Sequence, residues 1–254
     1  MSSRLVLRAC GRLVEIVGDD PALELARERL PGMYRTGRGR PERSWSILQD
    51  ARGQWHPRVE REPLGDRPHV SSAVELVLRD MENWVAEHAE RFMFVHAACV
   101  AHDGRAIMLP GLTLTGKTTL VRALIGAGAE YFSDEFAPVD GRGFVHPYPR
   151  PLAIRYSPVG EERLELAQLG AAVGTDPAQV ALVALLQFDA AAGWAVAPLS
   201  RAHAILGLLD NTVPAQSRPV ESLAAMERAS KHARAIKGTR GEADEAAALL
   251  LQML

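Results

Sequence analysis

The stretch Pro110 to Leu120, reading PGLTLTGKTTL, constrains this chain more than any other. It contains G-x-x-x-x-G-K-T as Gly111, four residues, Gly116, Lys117 and Thr118. A loop of this kind turns successive backbone N–H groups inward around an anion, and glycine permits the close approach. The motif assigns Lys117 to the outer phosphates of a nucleotide and the Thr118 hydroxyl to Mg²⁺. The helix that follows points its positive end at the anion. The flanks agree with that reading. Arg105 to Pro110 is a short apolar run suited to a buried strand, and Thr118 to Gly126 is a helical stretch ending in glycine.

Composition narrows the setting. The chain has 254 residues, 47% hydrophobic and 24% charged, an ordinary globular balance. Its net charge of -2 gives no basic field for nucleic acid. The N-terminus has no continuous apolar segment of the signal-peptide kind, and no run reaches the roughly 18 apolar residues of a membrane span. These features predict a cytoplasmic protein. Cys10 and Cys99 lack metal-ligand spacing and read as two reduced, buried thiols.

Along the chain, residues 4 to 17 predict a β-hairpin turning at Gly11, and Asp20-Pro21 a helix start with Asp20 as N-cap. Residues 33 to 43 read as a loop. Trp45 to Leu48 and Gln54 to His56 read as strands around a turn, their tryptophans in the core. Val70 to Arg91 has the period of a long helix, capped by Ser71 or Ser72. Phe92 to Ala101 is a strand that turns at His102-Asp-Gly104 into the strand feeding the loop. His96 lies inside it, where a lone histidine is usually a core residue.

After the loop's helix, Ala129 to Phe132 is a short strand ending in Ser133-Asp134-Glu135. Ligands of parallel α/β sheets sit beyond the carboxyl ends of strands. One of these carboxylates could take a proton from an attacking hydroxyl and the other could hold Mg²⁺. The plainer alternative is a helix cap or solvated turn. Further on, the prolines between Pro147 and Pro151 fix an extended path that constrains Arg150. That arginine suits either a phosphate or a surface carboxylate. Glu161 to Leu169 reads as helix and Val180 to Phe188 as a central buried strand. Asp189 reads as a turn residue ahead of a second metal carboxylate, and Trp194 to Ala197 as the return strand. Ser200 to Leu209, Val220 to Ile236 and Glu242 to Leu254 read as helices.

The stretches Val95 to Gly111, Gly116 to Leu120, Phe132 to Glu135 and Pro147 to Leu152 together resemble the HPr kinase/phosphorylase-like kinases. The resemblance is greatest to members from bacterial biosynthetic gene clusters, including those that phosphorylate a serine of lasso-peptide precursors. It covers roughly residues 70 to 254. It implies an α/β fold: a phosphate-loop kinase core of the HPr-kinase C-terminal type, with a central mixed sheet flanked by helices (residues 70–254). A small N-terminal α+β lobe (residues 1–69) would precede it. Gly111, Leu112, Thr113, Leu114, Thr115, Gly116, Lys117, Thr118 and Thr119, with Arg150, would bind ATP. Thr118, Asp134 and Glu135 would hold Mg²⁺. Asp134 would be the base toward a serine, with Lys117, Glu135 and His96 completing the catalytic set. Three departures stand out. The loop interior Leu112 to Thr115 is bulkier than the family's glycine- and serine-rich version, and Glu135 replaces a common aspartate. The second glycine-containing signature, with its Mg²⁺-binding glutamate, has no counterpart, which argues against HPr as the substrate and against the phosphorylase reaction.

The chain is therefore expected to be an ATP- and Mg²⁺-dependent kinase acting on a serine of a peptide or small protein. It would bind neither nucleic acid nor membrane, and homo-oligomerisation stays open. A small-molecule hydroxyl kinase and a nucleotide-binding regulatory subunit are the two alternatives. The acceptor separates the first, and the His96 and Asp134-Glu135 set argues against the second.

Overall fold

Residues 2–111, 116–157, 160–164, 166–170 and 172–254 are described by a computed structural model, with backbone alone at 153–157, 160–163 and 169. The loop interior Leu112 to Thr115 lies outside the described residues. The chain divides into two compact units, Met1–Arg91 and Phe92–Leu254.

The first unit is a six-stranded sheet with two helices. Strands β1 (Ser2–Ala9) and β2 (Arg12–Asp19) form the expected hairpin. Its tight turn holds both Cys10 and Gly11 at positive φ, the geometry that matches the right-handed twist of the strands. Helix α1 (Asp20–Arg29) follows directly. Its N-cap is Asp19 rather than Asp20, and the Asp19 carboxylate is engaged elsewhere, accepting from the Gln49 N–H. Next come β3 (Arg35–Thr36), β4 (Arg43–Gln49), β5 (Trp55–Val59), β6 (Glu62–Pro63) and helix α2 (Val70–His88). The strand order is β3-β1-β2-β4-β5-β6. Both tryptophans are core: Trp45 donates its indole N–H to Asp80 of α2 at 2.8 Å and meets Trp84 edge-on. The sequence reading placed α2 in the second unit, but it packs on α1, β4 and β5. Neither Ser71 nor Ser72 caps it. His69 occupies that position, and the Ser72 hydroxyl donates back to the His69 carbonyl.

The second unit is built on a mixed sheet. Its elements begin with β7 (Phe92–His102), β8 (Arg105–Pro110), α3 (Lys117–Gly126), β9 (Glu130–Ser133), β10 (Phe136–Asp140) and β11 (Phe144–Val145). The ribbon β12 (Leu152–Ser157) and β13 (Gly160–Leu164) follows, then β14 (Ala178–Phe188), β15 (Ala195–Pro198), α4 (Arg201–Leu209), α5 (Pro219–Ala229), β16 (Arg234–Arg240) and α6 (Ala243–Gln252). The order is β11-β10-β7-β8-β14-β16-β15, with β9 also on β7. β8, β14 and β16 run parallel; β7 is antiparallel to β8, β9 and β10. The architecture is α/β, with helices on both faces. Alternation along β7 shows why: Val95, Ala97 and Cys99 pack with α4 and α5, while Ala98 and Val100 pack with α3 and α6.

Three sequence expectations fail in this unit. Residues 160–164 are strand rather than helix, because pairing with β12 takes their backbone groups. Among the described residues, a 3₁₀ turn at Leu166–Leu169 is what remains of the expected helix. The helix expected to run to Ile236 stops at Ala229, and Ile236 lies in β16 between β14 and β15. β15 returns onto β16 instead of β14. Among the described residues no helix is long and apolar enough to cross a membrane.

The placement of α2 is testable. Val74, Val77, Leu78, Met81 and Val85 are all buried. At about 1.5–3 kcal/mol for each buried side chain, they are worth on the order of 10 kcal/mol, comparable to the whole stability of a typical domain. A fragment of residues 1–91 is expected to give a cooperative thermal transition by circular dichroism. A fragment of residues 1–69 is expected to give none, and a cooperative transition from it would contradict the packing.

Candidate functional site

The site forms where three chain segments meet around the middle of β7, at His96 to Ala98. The β7–β8 register sets Ala97 opposite Pro110, so the Gly111 N–H reaches the His96 carbonyl at 3.3 Å. On the other edge of β7, His96 pairs with Phe136 and Cys99 with Ser133. Ser133 and Phe136 therefore keep one register along β7 with Asp134 and Glu135 unpaired between them, and β9 shifts by one residue at an irregularity between Cys99 and Val100. The interruption has a local cause. The buried Ser133 hydroxyl accepts from the Glu135 and Phe136 N–H groups at 3.2 and 3.1 Å. That local turn competes with the ladder, as serine side chains do. The two carboxylates are thus presented from inside a sheet, beside the phosphate loop.

Asp134 is 8% exposed. Its Oδ2 lies 3.4 Å from Thr118 Oγ1, on the first turn of α3, and its Oδ1 accepts from the Tyr131 hydroxyl at 3.0 Å. Tyr131 Oη is also 3.1 Å from the Arg150 carbonyl, so a single phenolic proton serves two acceptors. This ties Asp134 to the proline-fixed segment. Burial raises the Asp134 pKa; the Arg150 charge opposes the rise and Glu135 adds to it. Arg150 therefore stands near enough to act on Asp134 electrostatically.

Lys117 Nζ donates to the Gly111 carbonyl at 2.6 Å. Burial lowers its pKa, and Glu135 and Asp134 oppose that. His96 is half-buried on the α3 side of the sheet, its ring 4.6 Å from that of Phe136. Burial lowers its pKa too, against the pull of Glu135 and with the push of Lys117. Burial thus favours the neutral imidazole. Gly116 caps α3 in the left-handed conformation (φ 78°, ψ 15°) with no side chain capping that end, the arrangement by which a helix start receives an anion. Thr119 is exposed on the same turn.

The structure brings together Gly111, Gly116, Lys117, Thr118, His96, Asp134 and Glu135, with Arg150 acting from the next segment. Asp189 stands at the end of β14, its N–H on the Arg240 carbonyl at 3.0 Å. Its carboxylate accepts from the Ala191 N–H at 2.9 Å and shapes its own turn. The reading missed Tyr131, Ser133 and Arg240. Arg240, at the end of β16, donates to the Gly116 carbonyl at 2.8 Å. Only the Ser-Asp-Glu order, which suits a turn, could have signalled Ser133; nothing local marks the other two.

The donor set suits a small hard cation. A hydroxyl and two carboxylates offer oxygen only, and among the described residues no cluster of three metal-ligating side chains forms a closed cage. Mg²⁺ is commonly held this way, by one or two carboxylates plus waters and phosphate oxygens.

No family model matches the chain, and no curated protein matches it. Among solved structures, it is similar to the Hpr(Ser) kinase/phosphatase from Coxiella burnetii. The identity is 15%, covering 63% of this chain and 92% of that chain, with a TM-score of 0.36. A likeness of that degree carries neither fold nor function over to this chain.

Burial of Asp134 has a measurable cost. Its folded-state pKa lies above the unfolded value, so the cost is absent below the unfolded carboxylate range, roughly pH 4. It grows as pH rises and is complete above the folded pKa. Asp134→Asn is therefore expected to melt higher than the wild type near pH 7 without ligand, by about 2–4 °C for each 1 kcal/mol relieved. The gap should close as pH falls toward 4. A lower melting temperature near pH 7, or a gap independent of pH, would contradict the buried-charge account.

Proposed function

We propose that this chain is an ATP- and Mg²⁺-dependent kinase that phosphorylates a hydroxyl, a serine on a peptide or small protein. The observation that carries the reading is the 3.4 Å contact between Thr118 Oγ1 and Asp134 Oδ2. It joins the phosphate-loop helix to a buried carboxylate, so a phosphate at the loop and a base for its acceptor share one site.

In this reading the loop from Gly111 to Thr118 holds the nucleotide phosphates, and Lys117 offsets charge on the outer ones. Thr118, Asp134 and Glu135 would hold Mg²⁺, which supplies further charge neutralisation when bound. The acceptor oxygen bonds to the terminal phosphorus as the bond to the bridging oxygen breaks. The hydroxyl proton passes to Asp134, and ADP leaves. Tyr131 holds one of the Asp134 oxygens, and the Arg150 charge acts on Asp134. The choice of a serine acceptor, and of a biosynthetic precursor peptide as its carrier, rests on the family resemblance.

Incubation with labelled ATP, Mg²⁺ and candidate serine peptides, followed by mass mapping of the phosphate, tests the reading. Asp134→Asn should cut transfer by at least ~100-fold, the contribution of a positioned base, and should keep ATP affinity within a few-fold. Lys117→Ala should weaken ATP binding by about tenfold or more in a nucleotide titration, the scale of a lost charge-assisted bond. Transfer by Asp134→Asn at the normal rate would remove it as the base, and unchanged affinity would remove Lys117 from the site.

A further inference from the structure

Arg240 is a buried cation that the catalytic reading leaves without work. It is 3% exposed. Its guanidinium carbon lies 5.0 Å from the Phe188 ring centre. Nη1 donates to the Gly241 carbonyl at 2.9 Å and Nη2 to the Gly116 carbonyl at 2.8 Å. Among the described residues no carboxylate forms an ion pair with it; Glu242 acts on it only from beyond that distance. A guanidinium stays charged, and burying it without a counter-ion is costly. Holding one loop carbonyl does not explain that cost, because a neutral donor would serve as well.

Position supplies what is missing. β8, β14 and β16 are parallel, so their carboxyl ends lie together, where ligands bind in such sheets. A cleft there is lined by Pro110, Gly116, Lys117, Ala184, Leu186 and Arg240. Lys117 sits on the Gly111 carbonyl as Arg240 sits on that of Gly116, so each glycine of the motif carries a cation on its oxygen. The acids lie on the β7 side of β8, and Arg240 lies on the β14 side. A larger residue at Gly116 would be strained: φ is +78°, and a Cβ would stand 2.6 Å from Arg240 Nη2 unless the guanidinium moved.

We propose that Arg240 binds the phosphates of the nucleotide that are not transferred, as a second cation beside Lys117 on the flank opposite the acids. The inference rests on the nucleotide reading of the same site. On binding, the phosphate oxygens would accept from the guanidinium N–H groups that bond neither Gly116 nor Gly241.

Calorimetric titration of Mg·ADP and Mg·ATP at several KCl concentrations tests this on wild type, Arg240→Gln, Arg240→Lys and Lys117→Ala. Arg240→Gln should weaken ADP and ATP alike, by about tenfold or more, and bind with a shallower salt dependence, since one charge contact is gone. Arg240→Lys should keep the wild-type salt dependence and lose several-fold in affinity, because an ammonium cannot span two carbonyls and a phosphate as the planar fork does. If Arg240→Gln does not fold, as its melting curve would show, Arg240→Lys decides, and wild-type affinity from it overturns the proposal. A loss in Arg240→Gln with unchanged salt dependence, as from a brace on Gly116 alone, overturns it, and so does no loss at all. Those failures leave the nucleotide site standing as long as Lys117→Ala weakens binding. If the wild type binds neither nucleotide, the reading and this inference fall together.

Discussion

The break in strand pairing at Asp134 and Glu135 is the constraint on which the site depends. β7 is paired along one edge by β8 and along the other by β9 and β10, with Ser133 and Phe136 in one register on either side of the break. Were Ser133 to leave its hydroxyl out of the backbone, the two segments could close into one strand and the acids would join an ordinary ladder. The turn at Ser133 prevents that and leaves a carboxylate inside the protein, facing the helix that follows the phosphate loop. His96 joins the two sides because its own backbone touches both, Gly111 on one edge and Phe136 on the other.

The electrostatics have one theme. Burial pushes Asp134 toward its neutral form, and pushes Lys117 and His96 toward theirs. Each is opposed by a neighbour of opposite charge, so the groups are coupled and their balance shifts with any ligand that brings charge. A site of this kind is uncomfortable when empty, and stability given up there is what binding energy can recover. Tyr131 and the Arg150 carbonyl set the geometry within which that exchange happens.

Much of this was legible in the sequence. The loop and its flanking strand and helix follow from glycine spacing and an apolar run, and both hairpins from turn residues that tolerate positive φ, Gly11 in one and Asp103-Gly104 in the other. What failed was information that is not local. The period of α2 reveals an apolar face without saying which sheet it covers, so the helix was assigned to the wrong unit. Arg234 to Arg240 is poor in β-branched residues, and only pairing on both edges makes it a strand. That error hid Arg240, because a residue thought to trail a surface helix has no reason to reach the loop. Tyr131 was hidden differently: in a short apolar strand its hydroxyl reads as incidental, and its partners lie three and nineteen residues away.

The central claim is that loop and acid seam form one phosphoryl-transfer site. A crystal structure with Mg²⁺ and a non-hydrolysable ATP analogue measures this most directly. The account predicts phosphates cradled between Gly111 and Thr118, with the terminal phosphate turned toward Asp134 and open to an acceptor on that side. A nucleotide bound elsewhere, or a terminal phosphate turned toward β14 with Asp134 out of reach, would contradict it.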